Sequence, residues 1–346
     1  MTPADDTLSR RLLPQKVFHI SLAREFLTVV TSTVALIILC LLLAPSSVSY
    51  GALAGSLPFA AILAIVGLAQ MLVVQQGGFD LSVAGGVSLA VVISTHVPAG
   101  NSAYLLPAVL MAASCAVAAG VVNGILVGFM RLNAIVATIG MNALMYGGVF
   151  AVSGGVPRST TPLLAAIAGG DTLGIGNSVY FALAILLLVS LIMKKTVVGR
   201  RYEAIGASPM AAQAVGLRVR LHQMMAYVYA QLLYCVAGIL LAGITSQPTA
   251  FQGDSLLLPS VAVVVLGGTS LIGGRGFPIS TVVAAFFLNQ LSQFALAVGV
   301  PYSAQTIIQA FALGFGIAVY SFRWTNKTKN TIKPSNKEEK HEVIIS

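Results

Sequence analysis

The sequence predicts an all-α polytopic membrane protein with about ten transmembrane helices, some of them broken or re-entrant, in an inverted repeat. Three observations predict this fold class. Of the 346 residues, 57% are hydrophobic and 8% are charged, whereas a soluble domain carries roughly 25% charged residues. The apolar residues form successive runs of membrane-spanning length, and clusters of glycine interrupt two of them.

These apolar runs divide the chain into a membrane domain and two tails. We expect a cytoplasmic tail over residues 1–25, a permease-like membrane domain over residues 26–322 and a solvated, flexible cytoplasmic tail over residues 323–346. Too little polar sequence remains for a soluble catalytic domain. The runs cover residues 27–44, 52–76, 82–97, 103–129, 134–153, 178–193, 222–244, 256–267, 278–298 and 303–320.

The positions of lysine and arginine predict the orientation of the spans, because cytoplasmic loops retain basic residues. If the N-terminus is cytoplasmic and the spans alternate, all of the 19 lysines and arginines except Arg158 lie on the cytoplasmic side. Both termini are then cytoplasmic. Spans two to five and seven to ten run in opposite directions, which predicts the inverted repeat.

Two glycine-rich segments break the apolar runs, and both map to the inner side: QQGGFDLSVAGG at 75–86 and VLGGTSLIGGRG at 265–276. Glycine weakens a helix by about 1 kcal/mol relative to alanine, and backbone without helical bonds at membrane depth must line protein or water. We therefore expect broken helices with a gating role here. The candidate gating residues are Gly77, Gly78, Asp80, Ser82, Gly267, Gly268, Gly273, Gly274 and Arg275.

Asp80 is the acidic residue that we expect at membrane depth, where ionisable groups are costly and are usually paired or solvated. It either takes part in gating or, in the interpretation that we favour, caps the N-terminus of a half-helix together with Ser82. Topology makes Arg275 its expected partner. Elsewhere, the four-residue spacing of Gly120, Gly124 and Gly128 predicts close helix packing.

A polar segment, GRRYEAIGASPMAAQAVGLRV at 199–219, interrupts the middle of the chain. Ser208 and Pro209 are typical of an N-cap and a first helical residue, and Gly216 suits the left-handed residue that ends a helix. We therefore expect a helix of about two turns, which is too short to be stable alone in water. It must rest on the membrane domain or on a partner.

This segment resembles the coupling loop of permease subunits of bacterial ABC importers of the ribose, galactose and autoinducer-2 type. Two further motifs, GGFDLSVAGGV at 77–87 and VAVVVLGGTSLIGGRG at 261–276, are similar to signatures of that family and follow in the same order. The resemblance covers residues 27–320. It implies an inner-membrane permease that imports a sugar or sugar-like solute by alternating access. The implied partners are a second permease subunit, identical or different, two cytoplasmic ATPase subunits and an external sugar-binding protein.

The resemblance makes residues 194–220 the coupling loop that meets the ATPase. The chain has no GxxxxGK[ST] motif, so we expect no nucleotide site and no enzymatic activity in this chain, and ATP and magnesium on the ATPase subunits. We also expect no cofactor, no metal site and no nucleic-acid partner. The predicted coupling residues are Arg200, Glu203, Gly206, Ser208, Pro209, Ala212 and Gly216.

A sugar pathway needs amide and hydroxyl groups on otherwise apolar helices, although interhelical hydrogen bonding explains such residues equally well. The longest outer segment, 153–178 with Arg158 and Asp171, is either a docking site for the binding protein or a solvated loop with a helix on the membrane surface. The candidate pathway residues are Gln70, Gln75, Asn123, Asn142, Asn289, Gln290 and Gln293.

Two other classes of function compete with the importer. An ion- or proton-coupled secondary transporter of small polar solutes can share inverted repeats and broken helices, but it needs a titratable relay at mid-membrane, which Asp80 alone serves poorly. An intramembrane enzyme or a receptor without transport is the other class. The apolar runs contain no paired carboxylates, HExxH motif or Ser/His arrangement that would favour an enzyme.

Overall fold

The computed structural model describes residues 24–301 and, beyond them, residues 304, 307 and 311. Helices joined by short turns make up this part of the chain, and its strands are confined to one small hairpin. The helices are α1 (Arg24–Leu43), α2 (Tyr50–Gln75), α3 (Val83–His96), α4 (Leu105–Gly124), α5 (Ala134–Ser153), α6 (Pro162–Leu164), α7 (Asn177–Lys195), α8 (Val197–Ala207), α9 (Pro209–Ala214), α10 (Val219–Thr245), α11 (Leu257–Leu266) and α12 (Pro278–Ala297). The strands are β1 (Asp171–Thr172) and β2 (Ile175–Gly176).

Seven helices of the described region are long and apolar enough to cross a membrane: α1, α2, α4 with its continuation, α5, α7, α10 and α12. Helices α3 and α11 also coincide with predicted apolar runs, but they have only 14 and 10 residues. The prediction of an all-α membrane protein is confirmed, whereas the count of ten spans is not. The tenth run, 303–320, falls almost entirely outside the described residues, so the inverted repeat stays a prediction.

Helices α2 and α10 form the centre of the bundle. Helix α10 packs against α2, α3 and α4, while α2 also packs against α7, α11 and α12. The glycines at 120, 124 and 128 bring α4 close to α10, since a β-carbon on Gly120 would lie 2.6 Å from the α-carbon of Val228. This confirms the predicted close packing. The outer helices α1 and α7 instead present exposed leucines, as lipid-facing helices do.

The outer segment between α5 and α7 is folded. Helix α6 continues into a π-helical turn, Ala165–Gly169, and buries Leu164 and Ala168 against the core. Strands β1 and β2 pair antiparallel, with Asp171 opposite Gly176. The segment is therefore a packed cap on one end of the bundle, and both of its predicted docking residues, Arg158 and Asp171, are exposed.

Candidate coupling and gating site

The polar segment after α7 folds into two short helices, of which the sequence predicted only the second. Helix α8 begins after Thr196, whose Oγ1 accepts a hydrogen bond from the Gly199 N–H at 3.2 Å. One face of α8 is buried, and its charged residues lie on the other face. The buried residues are Gly199, Tyr202, Ile205 and Gly206.

Helix α9 has the predicted ends. The Ser208 side chain accepts a hydrogen bond from the Ala211 N–H at 3.4 Å, and Pro209 is the first helical residue. Gly216 has a φ of 82°, and its N–H donates to the Gln213 carbonyl at 3.0 Å, as in a Schellman motif. The predicted capped helix is confirmed.

The predicted coupling residues separate into two groups. Arg200, Glu203, Pro209 and Gly216 are exposed, and Ser208 is half-buried. Gly206 and Ala212 are buried against this same chain. The first group is available to a partner, whereas the second attaches the loop to the bundle.

Large apolar side chains project from the α9 region into solvent. Met210 is 84% exposed and Val215 is 76% exposed, and the sequence analysis did not single out either of them. Exposed apolar groups of this size, framed by charged residues, mark surfaces that contact other proteins. A cleft of about 800 Å³ lies beside α9, and its lining includes Arg131, Arg218 and Arg220.

Gly206 joins α8 to the end of α2 and to the second glycine-rich segment. The Gly274 N–H donates to the Gln75 carbonyl at 2.8 Å, and the Gln75 Nε2 donates to the Gly274 carbonyl at 2.9 Å. A β-carbon on Gly206 would overlap the Gln75 carbonyl oxygen and lie 2.7 Å from the Gly274 nitrogen. A β-carbon on Gly273 would likewise lie 2.6 Å from the Gly206 carbonyl oxygen. We call Gln75, Gly206, Gly273 and Gly274 the glycine junction. The backbones of these residues lie so close together that there is no room for a side chain on any of the three glycines.

Tyr202 adds a second attachment between α8 and α2. Its hydroxyl donates to the Leu72 carbonyl at 2.6 Å, and the Gln76 Nε2 donates to the Tyr202 carbonyl at 2.8 Å. Burial raises the pKa of the Tyr202 hydroxyl well above its ordinary value, so the hydroxyl stays protonated and keeps its donor role. Helix α8 is thus fixed to the end of α2 on two consecutive turns.

The break between α2 and α3 is stabilised by a buried polar network of Asp80, Ser82, Asn123 and Gln231, all with 0% exposure. The Ser82 N–H donates to the Asp80 Oδ1 at 2.9 Å, and the Ser82 hydroxyl donates to the same oxygen. The Gln231 Nε2 donates to the Asp80 Oδ2 at 3.2 Å and to the Ser82 Oγ at 2.7 Å. The Asn123 Nδ2 donates to the Ser82 Oγ at 3.0 Å. This network links the break to α4 and α10.

The network departs from the sequence prediction in two ways. Ser82 occupies the N-cap position of α3 without a side-chain capping bond, so Asp80 binds the Ser82 N–H rather than the first turn of the helix. Among the described residues, Ser82 and Gln231 are the groups that hydrogen-bond Asp80. The expected partner Arg275 is instead exposed, with its guanidinium carbon 5.3 Å from the centre of the Phe277 ring. The predicted Asp80–Arg275 pair is therefore wrong.

Side chains of α5 accept hydrogen bonds from further backbone amides at the start of α3. The Leu81 N–H donates to the Thr138 Oγ1 at 3.0 Å, and the Gly85 N–H donates to the Asn142 Oδ1 at 2.7 Å. Side chains of a neighbouring helix thus take the place of a local cap. The first break is consequently bound by side chains from three different helices, α4, α5 and α10.

The remaining predicted gating glycines lie at turns and close contacts. Gly77, with a φ of 78°, ends α2 beside the Ile272 carbonyl. Gly78 faces the Tyr227 hydroxyl, and Gly267 approaches the backbone of Thr281. Gly268 adopts a φ of 82° at the end of α11. The structure brings both breaks to one end of the bundle, as the sequence predicted.

The predicted pathway amides mostly join helices and loops. The amide of Gln290, for example, donates to the Ser47 carbonyl at 3.1 Å, and the oxygen of Gln70 accepts from the Tyr234 hydroxyl at 2.7 Å. Asn289 donates to the Ser56 carbonyl at 3.3 Å, and the bonds of Gln75, Asn123 and Asn142 are described above. Gln293 is half-buried on α12. Interhelical bonding is thus observed, and a pathway role for these residues stays a prediction.

Comparisons with known proteins agree with the resemblance. Residues 52–317 match the family model described as "Branched-chain amino acid transport system / permease component". The galactofuranose transporter permease protein YtfT of Escherichia coli (strain K12) is 30% identical over 273 residues, which cover 78% of this chain and 80% of that protein. The ribose import permease protein RbsC of the same strain is 30% identical over 298 residues, 83% of this chain and 92% of that protein.

A third relative is the autoinducer 2 import system permease protein LsrC of Salmonella typhimurium, which is 29% identical over 300 residues, 84% of this chain and 85% of that protein. No solved structure is significantly similar to the chain. The matched region contains the glycine junction, the polar network and helices α8 and α9. The chain therefore belongs to the family of ABC-transporter permease subunits that includes ribose, galactofuranose and autoinducer-2 permeases.

Proposed function

We propose that this chain is the membrane subunit of an ATP-driven importer that carries a sugar or sugar-like solute across the bacterial inner membrane. Separate ATPase subunits supply the energy, and both termini of the permease are cytoplasmic. The observation that carries the proposal is the glycine junction, which connects the α8–α9 segment to the end of α2 and to the second break. The names of the relatives, which are permeases for ribose, galactofuranose and autoinducer 2, support the solute class.

The ATPase docks on α9 and on the charged face of α8. Met210 and Val215 offer apolar contacts, and Arg200 and Glu203 lie exposed beside them. Because α9 buries only Ala212 against its own chain, the helix has little intramolecular packing to stabilise it. Contact with a partner supplies the packing that a helix of this length needs.

Movement of α9 reaches the membrane domain through α8. When the ATPase subunits close on ATP, they shift α9, and α8 follows because Ser208 alone separates the two helices. The close backbone contacts of Gly206 pass this shift to Gln75 and Gly274. The ends of α2 and α11 then move together, and the flanking helices α7 and α10 change their tilt. This sequence of movements gives alternating access.

Two other partners complete the importer. A second permease subunit, identical or different, forms the other half of the membrane domain. An external binding protein delivers the solute to the outer cap, where Arg158 and Asp171 are exposed for charge pairing. The firm packing of α6 against the core makes this cap a rigid docking surface.

Co-purification tests the proposal. The chain is isolated from its native membrane with its partners, reconstituted in liposomes and supplied in turn with single sugars and their binding protein. We expect an ATPase subunit to co-purify and one sugar class to stimulate ATP hydrolysis and uptake together. Uptake that a protonophore abolishes and that persists after ATP depletion would contradict the proposal in favour of a secondary transporter.

A further inference from the structure

Aromatic and acidic side chains meet where the turn before α11 contacts α5. The Tyr146 hydroxyl donates a hydrogen bond to the Asp254 Oδ1. The ring of Phe251 lies 5.3 Å from that of Tyr146, nearly perpendicular at 87°, and 5.0 Å from that of Phe150. We call Tyr146, Phe150, Phe251 and Asp254 the aromatic–acidic cluster. The sequence analysis did not single out any of its members.

The cluster lies within the thickness of the bundle. Tyr146 is on α5, a candidate span of 20 residues, and the helical rise places it about 18 Å from the start of α5 and about 10 Å from its end. The neighbouring Gly253 N–H donates to the Ser88 Oγ at 3.0 Å, and Ser88 lies near the middle of α3. The turn Gln252–Leu256 therefore enters the bundle between its two ends.

The cluster is also open on the surface of this chain. Asp254 is exposed, and Phe150 is 56% exposed. A carboxylate facing lipid at this depth is costly, so ionisable groups within a membrane face protein or a water-filled cavity. A second permease subunit packed directly on Asp254 would bury this carboxylate. A water-filled pathway beside the cluster would instead keep Asp254 as exposed to water as it is on the surface of this chain.

The chemistry of the cluster suits a sugar. Aromatic rings provide flat apolar surfaces against which the C–H groups of a sugar ring can pack. A carboxylate accepts hydrogen bonds from hydroxyl groups, and such charge-assisted bonds are stronger than neutral ones. Small-molecule binding sites typically combine a few fixed polar groups with surrounding aromatic side chains.

We propose that the aromatic–acidic cluster is a sugar-binding subsite on the wall of the permeation pathway. Asp254 accepts hydrogen bonds from two neighbouring hydroxyls of the solute, Tyr146 orients the carboxylate, and Phe251 packs against the sugar ring. The subsite deepens the proposed function and rests on it, since it presumes a polyhydroxylated solute. It gives the permease a selectivity of its own, in addition to that of the binding protein.

Sugar selectivity of the reconstituted transporter tests the subsite. The full complex with ATPase and binding protein is placed in proteoliposomes, and ATP-dependent uptake of radiolabelled ribose, arabinose, xylose and galactose is measured separately. The variants are Asp254→Asn and Tyr146→Phe. The matched control is Tyr229→Phe, which removes a hydroxyl from an exposed tyrosine on α10.

We expect Asp254→Asn to raise the KM for the preferred sugar about tenfold and to change the ratio of uptake among the four sugars. Tyr146→Phe should change the KM and the uptake ratio in the same direction by about threefold. Tyr229→Phe should leave the KM and the uptake ratio unchanged. Unchanged KM and ratios in Asp254→Asn would overturn the subsite, and so would an equal loss of uptake for all four sugars. Absence of ATP-dependent uptake by the wild-type complex would instead contradict the proposed function itself, so the two failures are distinguishable.

Discussion

The two glycine-rich breaks lie at the same end of the bundle, but they are stabilised by different kinds of contact. The break between α2 and α3 is bound by buried side chains, with Asp80 and Ser82 bonded to amides of α4 and α10. The break after α11 is bound mainly by backbone groups, through Gly274 and Gln75. The buried face of α8 contacts both segments, at Gln75 and Gln76 just before the first break and at the glycine backbone of Gly273 and Gly274 in the second.

This difference in contacts predicts that the first break stays fixed during transport and that the second break moves. Side chains from three helices would have to break their bonds together before the first break could move, because each of them bonds a backbone or side-chain group of that break. Backbone contacts at glycine can instead slide without the loss of a packed side chain. We therefore expect the first break to set the fold and the second break to transmit the movement of α8.

The largest effect on transport should come from Gly206→Trp. An indole at this position cannot fit between Gln75 and Gly274, so α8 must separate from the junction. We expect uptake to fall roughly 100-fold, because overpacking of this kind displaces the backbone. Uptake in proteoliposomes measures the loss, and membrane insertion with a normal gel-filtration profile is the control. Full uptake by Gly206→Trp would refute the role of the junction.

The largest effect on stability should come from Asp80→Ala. This change leaves the Ser82 N–H and the Ser82 hydroxyl buried without their acceptor and removes one of the two acceptors of the Gln231 amide, at a cost of about 3 kcal/mol. Asp80→Asn should cost much less, because the Gln231 Oε1, which has no hydrogen-bond partner among the described residues, can accept from the new amide after a flip. Thermal unfolding in detergent compares the two variants. Equal destabilisation would show that the charge of Asp80, rather than its hydrogen bonds, fixes the break.

A moderate effect should come from Gln75→Met, which keeps the length of the side chain and removes its hydrogen bond to the Gly274 carbonyl. The backbone bond between the two residues remains, so the junction is loosened rather than separated. We expect uptake to fall about fivefold, as the loss of one buried hydrogen bond predicts. Gln247→Met, on an exposed loop, is the matched control. Similar uptake by both variants would leave the side-chain bond without a role in transmission.

The smallest effect should come from Ser208→Ala. It removes the N-cap bond of α9 and costs about 1 kcal/mol of helix stability. Because α9 is the proposed docking site of the ATPase, whose contact would stabilise the helix, we expect weaker ATPase affinity with a nearly normal maximal uptake rate. Titration of the permease with purified ATPase subunit measures the change. A loss of uptake at saturating ATPase would show that the cap does more than support docking.

Local features of this protein were predictable from its sequence, because they depend on neighbouring residues. Apolar runs of sufficient length gave nine of the described helices close to their observed bounds, and Ser208, Pro209 and Gly216 gave the ends of α9. Helix α8 was missed because its glycines and arginines are typical of a loop. The buried spacing of Gly199, Tyr202 and Gly206 carried a helical signal that a search for amphipathic periodicity would find.

Long-range contacts were not predictable in the same way. Topology selected Arg275 as the partner of Asp80 because opposite charges attract, but amides from distant spans, including Gln231, satisfy the carboxylate instead. Gly206 is far from both Gln75 and Gly274 along the chain, so its close approach depends on how the helices pack. The contact between Tyr146 and Asp254 likewise joins two segments that are far apart along the chain, and no motif in either segment predicts that they meet.

The number of sugar molecules imported per ATP hydrolysed is the measurement that tests the central claim most directly. Gly206→Ala adds one methyl group at the junction, where it overlaps the Gln75 carbonyl oxygen, and Gly55→Ala adds the same group in open space on α2. We predict that Gly206→Ala retains ATP hydrolysis and lowers the ratio about tenfold, while Gly55→Ala keeps the wild-type ratio. A wild-type ratio in a folded, fully assembled Gly206→Ala complex would contradict transmission through the glycine junction.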